Sequence, residues 1–532
     1  MISLQQLSFS TALEAVLLIY VVKWALVSLM HAQRARRMGC KPAFVRPSKL
    51  PLGIDIVKRY MDTMEEHILQ NDDLVLYEEL GRRPTWNQNL LGSWHHITTD
   101  PKNVQAMLAT QFKDFELGPF RRAMFNPVIG KGIFTTDGTD WQHSRSLLRP
   151  QFTRGQVANL QLEEQHFQHL LGRLPVKSDS WTCTVDLAPL FFNLTLDSAT
   201  EFLFGQCVNS QITSLKKTQG LKPAEPTQDG LPDGYSFGQA FDRANGVVAY
   251  RSRLMSLYFL YNPAQFRKDC AEIQNFARFY VNLALTGGLQ PGENKSVPGD
   301  QNDSGYVFLR ELAKETQDPE ELRTQLLNIL LAGRDTTAGL LGWTFYLLSR
   351  HVDVYEKLRT AVIEAFGEFS STNTITFESL KSCSYLQHVL SEVLRLHPVV
   401  PENGRRAVRN TTLPRGGGPD GTSPIYIRAG EDVGYNVHVM HRRKDIWGDD
   451  ADQFRPERWI GLRPGWEYLP FNGGPRICLG QQFALTEAGY VVVRMLQRFD
   501  KVENMDPSTV VKHKYTSTTA PVQVLVRLHG SS

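Results

Sequence analysis

The hydrophobic pattern is most continuous at the N-terminus, where Ala12 to Met30 is apolar apart from Glu14, Lys23 and Ser28. That is enough to cross a bilayer, which takes roughly 17–25 residues. Arg34, Arg36, Arg37 and Lys41 follow, whereas no Lys or Arg precedes Lys23. Positive charge stays on the cytosolic side, so everything downstream is expected in the cytosol. No small-residue cleavage site is evident, and the segment reads as an uncleaved single-pass anchor. Residues 1–33 are therefore expected to be the anchor and 34–51 a basic linker stiffened by Pro42, Pro47 and Pro51. Residues 52–532 would be one large domain. The sequons at Asn193, Asn294, Asn302 and Asn410 would stay unmodified.

Within the domain the pattern is mostly helical, with a small β-rich region. A helix is expected over Asp55–Asn71, then strands around Leu74–Tyr77 and His95–Thr98. Val185 to Gly205 has the wide apolar face of a core helix. Residues 209–236 read as a polar surface insertion, and Gly287 to Gly305 as a solvated Gly/Asn/Ser/Asp loop. Phe241 to Phe266 carries an aromatic stripe. Tyr435 to His441 reads as a strand running into a helix, and the tail over 515–521 as a hairpin. The longest helix opens at Asp318-Pro319-Glu320-Glu321, with Asp318 as N-cap and Glu321 as capping-box partner, and runs to about Arg350. Its middle is apolar nearly all round, yet holds Ala332-Gly333-Arg334-Asp335-Thr336-Thr337-Ala338. Charges and hydroxyls cost free energy in such a place unless bonded or functional.

Composition narrows the class. The chain has 532 residues, 42% hydrophobic and 21% charged, which is globular material, and a net charge of +3 gives no footing for nucleic acid. Its six cysteines are scattered without CxxC pairs, as free thiols in a reducing compartment would be.

One cysteine stands apart. Phe471-Asn472-Gly473-Gly474-Pro475-Arg476-Ile477-Cys478-Leu479-Gly480 presents a sulfur just before an amphipathic run, Gln481 to Arg498. The helix N-terminus there is expected to favour a thiolate. Gly474 and Gly480 would let the backbone approach a flat group, and Arg476 offers a cation to an anion. The pattern Phe-x-x-Gly-x-Arg-x-Cys-x-Gly resembles the haem-thiolate loop of the cytochrome P450 superfamily, with Cys478 as the iron ligand. Further motifs follow in that superfamily's order: Trp141-Gln142-His143-Ser144-Arg145, Asp335-Thr336, and Glu392-Val393-Leu394-Arg395 with Phe454 to Trp459. The likeness extends from anchor to tail. It is most specific for the fungal n-alkane and fatty-acid hydroxylase family, through Gly132 to Gly138, Leu147 to Phe152, Asp197 to Gly205 and Leu413 to Gly421.

The resemblance implies haem b on Cys478, with Phe471, Gly474 and Gly480 beside it. Trp141, Arg145, Arg476 and either Arg405 or Arg406, with Arg405 preferred, would hold its propionates. Asp335 and Thr336 would relay protons, and Glu392, Arg395 and Arg458 would form a structural triad that locks the Cys loop. The substrate pocket would draw on Phe120, Phe134, Thr337, Val400, Glu402 and Thr518. The family also implies the endoplasmic reticulum membrane, NADPH-cytochrome P450 reductase as electron donor, and cytochrome b5 as a second donor. A lipophilic substrate hydroxylated at a chain end is the expectation. Oxidation of a secondary-metabolite intermediate is the alternative, and a haem-binding protein without turnover a distant third. Two features strain the first: the hydroxyl-rich 515–521 hairpin and Glu402, which must either face solvent or meet a polar substrate.

Overall fold

The computed structural model describes residues 9–152, 160–218, 234–287, 307–370 and 375–531. Helix α1 (Phe9–Arg37) touches the domain through His31, whose Nδ1 lies 3.1 Å from Tyr426 OH, and none of its apolar window is buried. By length and composition it could cross a membrane. The following residues are stitched onto the domain. Lys41 N–H donates to Pro424 O (2.9 Å), Gly418 N–H to Pro42 O (2.9 Å), and β1 (Phe44–Val45) joins the main sheet.

Where one helix and a strand were expected, two helices form, α2 (Ile54–Glu65) and α3 (Leu69–Glu79). His67 adopts φ 63°, and Ile68 N–H turns back to Thr63 O at 2.9 Å, which ends α2. The Leu74–Tyr77 run lies in α3, since a short apolar run suits either element and its neighbours decide. The expected strand at His95–Thr98 is β3 (Ser93–Thr98), paired with β2 (Thr85–Leu90). With β4 (Phe115–Glu116), β5 (Glu402–Ala407) and β6 (Asp432–Asn436) these make a six-stranded sheet in the order β1-β2-β3-β6-β5-β4. The tail forms the expected hairpin, β7 (His513–Tyr515) with β8 (Thr519–Pro521).

The helical body comprises α4 (Gly118–Ile129), α5 (Gly138–Leu148), α6 (Leu160–Leu171), α7 (Leu187–Phe204), α8 (Ser210–Thr218), α9 (Gly234–Arg253), α10 (Ala264–Leu285), α11 (Pro319–Leu348), α12 (Ser384–Leu396) and α13 (Gln481–Arg498). Part of the expected 209–236 insertion is thus helix α8, and its last residues open α9; 219–233 and nearly all of the Gly287–Gly305 loop lie outside the described residues. Helix α11 spans about 45 Å at 1.5 Å per residue and is the axis on which two apolar clusters meet. Asp318 accepts Glu320 N–H at 2.9 Å, as an N-cap should. Glu321 does not complete a capping box; it lies 2.6 Å from His143 and accepts the Thr316 hydroxyl at 2.7 Å.

Beneath the C-terminal half of α11, His397, His438 and His513 cluster around Trp343, with His397 stacked on the indole at 4.0 Å. Burial and the nearby Arg442 push all three well down, His513 to about 3, and burial does the same to His441, also to about 3. In the unfolded chain these imidazoles protonate near pH 6.5, while the folded chain keeps them neutral. Stability is therefore intact above pH 6.5 and falls as pH drops from there towards 3, by up to about 1.4 kcal/mol per pH unit for each histidine. Denaturant midpoints at pH 7.5, 6 and 5 should show this loss, and His513→Gln should reduce its slope.

Candidate active site

From Thr324 to Leu348 every residue of α11 is buried except Ala332, Gly333 and Thr336. Spaced i, i+1 and i+4, they share one face, so the helix opens onto internal space at that point. A Cβ on Gly333 would meet only Ala199 Cβ, at 4.0 Å. The Thr336 hydroxyl donates to Ala332 O at 2.7 Å, occupying a carbonyl of the helix ladder. Asp335 is buried and ion-paired with Arg334 at 3.0 Å; Arg334 also pairs with Asp242 on α9. Burial pushes the Asp335 carboxyl up to about 6, against the pull of Arg334. The charges that sequence alone left unpaid are thus bonded to one another.

The Cys loop is held from several sides. Tyr435 OH donates to Asn472 Oδ1 (3.0 Å), Cys478 N–H to Phe471 O (3.0 Å), and Arg145 to Ile477 O (3.0 Å). Gly474 has φ 65°, and a Cβ there would lie 1.8 Å from Leu108 O. This close backbone contact by itself demands a glycine. At Gly480 an added Cβ would merely touch Phe152, at 3.6 Å. Cys478 is solvent-accessible, yet enough protein surrounds it that desolvation pushes its thiol up, against the Gly480 N–H and Arg145. Burial works against the thiolate that the helix terminus favours, and ligation to a metal would secure it.

Positive charge gathers beside this loop. Arg476 donates to Thr136 O (3.0 Å), pairs with Asp137 (2.7 Å) and lies 4.4 Å from the Trp141 ring centroid. Arg145, one turn after Trp141 on α5, sits 5.9 Å from the same ring. Burial pushes Arg476 down to about 9, helped by Arg405, Arg121 and Arg145, and Arg121 down to about 10, helped by Arg405. Among the described residues Arg121, Arg145 and Arg405 form no ion pair. Arg405 is 3% exposed and its Nε has no partner, whereas Arg406 is turned to Asp432 at 3.2 Å. Of that pair, Arg405 is the one facing the cluster. Arg121 was not foreseen, because nothing local separates it from Arg122.

The model of the family described as Cytochrome P450 matches residues 66–526. The chain is a cytochrome P450. Its relatives include "Cytochrome P450 monooxygenase g430" of Fusarium sp, 48% identical over 92% of this chain and 85% of that protein. "Cytochrome P450 monooxygenase alt2" of Alternaria solani is 43% identical over 97% and 96%, and "Cytochrome P450 52A13" of Debaryomyces hansenii 52% identical over 77% and 76%. The family makes it a haem-thiolate monooxygenase, and the 52-type relatives bear out its likeness to the fungal alkane and fatty-acid hydroxylases.

The residues present fit a haem. Buried Arg405 and half-buried Arg121 and Arg145, none in an ion pair among the described residues, suit a dianion, Cys478 offers its sulfur, and α11 bares one small-residue face. Elsewhere this P450 is braced by a fully buried pair, Glu392 and Arg395, each 0% exposed. Arg395 binds both Glu392 oxygens at 2.8 Å and donates to His441 O (2.8 Å), Ala451 O (2.6 Å) and Gln453 O (3.2 Å). Arg458 Nε reaches Glu392 at 3.3 Å, and Trp459 Nε1 donates to its other oxygen at 3.0 Å. His441 in turn accepts Leu469 N–H at 2.9 Å, just ahead of the Cys loop.

The expected pocket residues of this P450 divide. Phe120 stands edge-on to Tyr258 at 5.7 Å, Phe134 is exposed and Val400 half-buried. Thr337, 1% exposed, is packed beside Glu487, and Thr518 is buried in its hairpin. Glu402, its side chain 31% accessible, has partners of its own. It accepts from Arg253 (2.5 Å) and Tyr515 OH (2.6 Å), so its charge is met inside the protein. Two hairpin hydroxyls are bonded within the chain as well: Ser517 bonds Asn245 (3.3 Å) and Thr519 donates to Pro398 O (3.3 Å).

Proposed function

We propose that this P450 hydroxylates the terminal carbon of a fatty acid or alkane, inserting one atom of O₂ into a C–H bond. The observation carrying this is that Glu402, Ser517 and Thr519, polar groups near the expected pocket, have partners within the chain. Bound haem supplies oxygen activation, with electron density from its cysteine ligand favouring O–O cleavage. Cys478 holds the iron, and Arg121, Arg145, Arg405, Arg476 and the Trp141 N–H take the propionates. Gly333 leaves room beside α11. Thr336 positions a proton at its hydroxyl, and Asp335, with its carboxyl near 6, lends and retakes one at neutral pH. Electrons come from NADPH through NADPH-cytochrome P450 reductase, with cytochrome b5 as an auxiliary donor. The enzyme sits in the endoplasmic reticulum membrane through α1, with its domain in the cytosol; the exposed Phe259 and Leu260, 59% and 69% accessible, suit a lipid-facing edge.

Thr336→Ala is expected to lower product formation about tenfold or more, with a matching rise in hydrogen peroxide per NADPH consumed. Unchanged product and unchanged peroxide would remove Thr336 from proton delivery. The function itself is tested with membranes carrying the protein, reductase, NADPH and a medium-chain fatty acid, products read by mass spectrometry. A terminal hydroxy acid supports the reading. No product from a preparation with intact haem-thiolate spectra would shift it to the second reading, a fungal secondary-metabolite intermediate. That reading draws on the Fusarium and Alternaria relatives, which match nearly the whole chain and whose names specify no substrate.

A further inference from the structure

The monooxygenase reaction leaves unused a group of side chains between α6, α7 and the turn into α8. There His166, Asp197 and Cys207 each offer a donor atom, and the three atoms lie within 4.8 Å of one another. His166 and Asp197 are 0% exposed, and Cys207 is half-buried. His166 Nε2 is ion-paired with Glu201 Oε2 at 2.8 Å, whereas its Nδ1 has no hydrogen-bond partner. A buried imidazole left so is costly, and such orphans in a native core ask for an explanation. Asp197 accepts Ser210 N–H (2.6 Å) and Gln211 N–H (3.1 Å), which fixes its carboxylate and still leaves lone pairs free.

We propose that His166, Asp197 and Cys207 bind a divalent transition-metal ion of the zinc class, with Glu201 as the outer carboxylate that orients the imidazole. Imidazole, thiolate and carboxylate together suit zinc and exclude magnesium and calcium, which take oxygen ligands. Bonds of about 2.0–2.3 Å to a tetrahedral ion put donors roughly 3.3–3.8 Å apart. From separations of up to 4.8 Å the donors must therefore close by about 1.5 Å at most, a movement within reach of side-chain rotation and of the 205–209 turn. Ligation takes a neutral imidazole and a thiolate, so protons held at these donors leave when the ion binds. The ion would staple the α7–α8 turn to α6.

The test uses the purified holoenzyme, equilibrated with micromolar zinc, desalted, and measured for zinc and iron by mass spectrometry. The wild type should retain about one zinc ion per chain, lost in Cys207→Ser and His166→Gln while haem content and the carbon-monoxide difference spectrum stay normal. Added zinc should raise the thermal midpoint of the wild type and not of Cys207→Ser. Should His166→Gln not fold, Cys207→Ser alone decides. A wild type without zinc above background, or a Cys207→Ser variant that retains as much, overturns the proposal.

Discussion

Cys478→Ala is expected to take substrate oxidation below detection and to remove the thiolate signature from the spectrum of the reduced, carbon-monoxide-bound protein. The effect is larger than that of any other single change because no neighbouring group stands in for the sulfur. Its backbone is pinned to Phe471, and Gly474 closes against Leu108 O, so the loop has no slack with which to offer another ligand. Cys270 and Cys383, the buried thiols, lie in the apolar clusters on other elements. Cys478→Ser is the stricter comparison, since it keeps size and polarity and removes the soft donor. Product formation by either variant at the wild-type rate would place the axial ligand elsewhere.

Arg395→Ala is expected to cost about 3–5 kcal/mol and to abolish haem retention, since it strips the partner from a buried carboxylate. The loss is not confined to Glu392. The same guanidinium is the donor for His441 O, Ala451 O and Gln453 O, so the 441–453 segment that leads to the Cys loop loses its tether. Arg395→Lys should rescue little, because an ammonium cannot span a carboxylate and three carbonyls in one plane. Haem-to-protein ratio and denaturant midpoint report the two halves of the effect. Normal haem content in Arg395→Ala would show that the triad does not secure the loop.

Much of this was readable in advance because the constraints are local. The Cys loop, the Trp141–Arg145 spacing, the Glu392–Arg395 spacing and the Asp318 cap are each set by residues within a few positions of one another. What escaped notice depended on distant partners. Glu402 looked like an unmet charge because Arg253 is 149 positions away. Arg121 looked no different from Arg122 until burial and Arg405 distinguished it. Leu74–Tyr77 reads equally as strand or helix, and only the turn at His67 resolved it. The buried histidines gave no signal at all, since their cluster joins residues from 397, 438 and 513.

The arginine cluster carries a consequence for the life of the protein in the cell. Without a dianion, Arg121, Arg145, Arg405 and Arg476 repel one another across a partly dry cavity, and Asp137 answers only one of them. A ligand that binds the folded chain alone stabilises it by mass action, and haem does so while also quenching that repulsion. Newly made chains that find no haem are then the ones that open most often and are degraded first. The iron supply of the cell would set how much of this enzyme persists, with no regulator needed beyond the cluster itself.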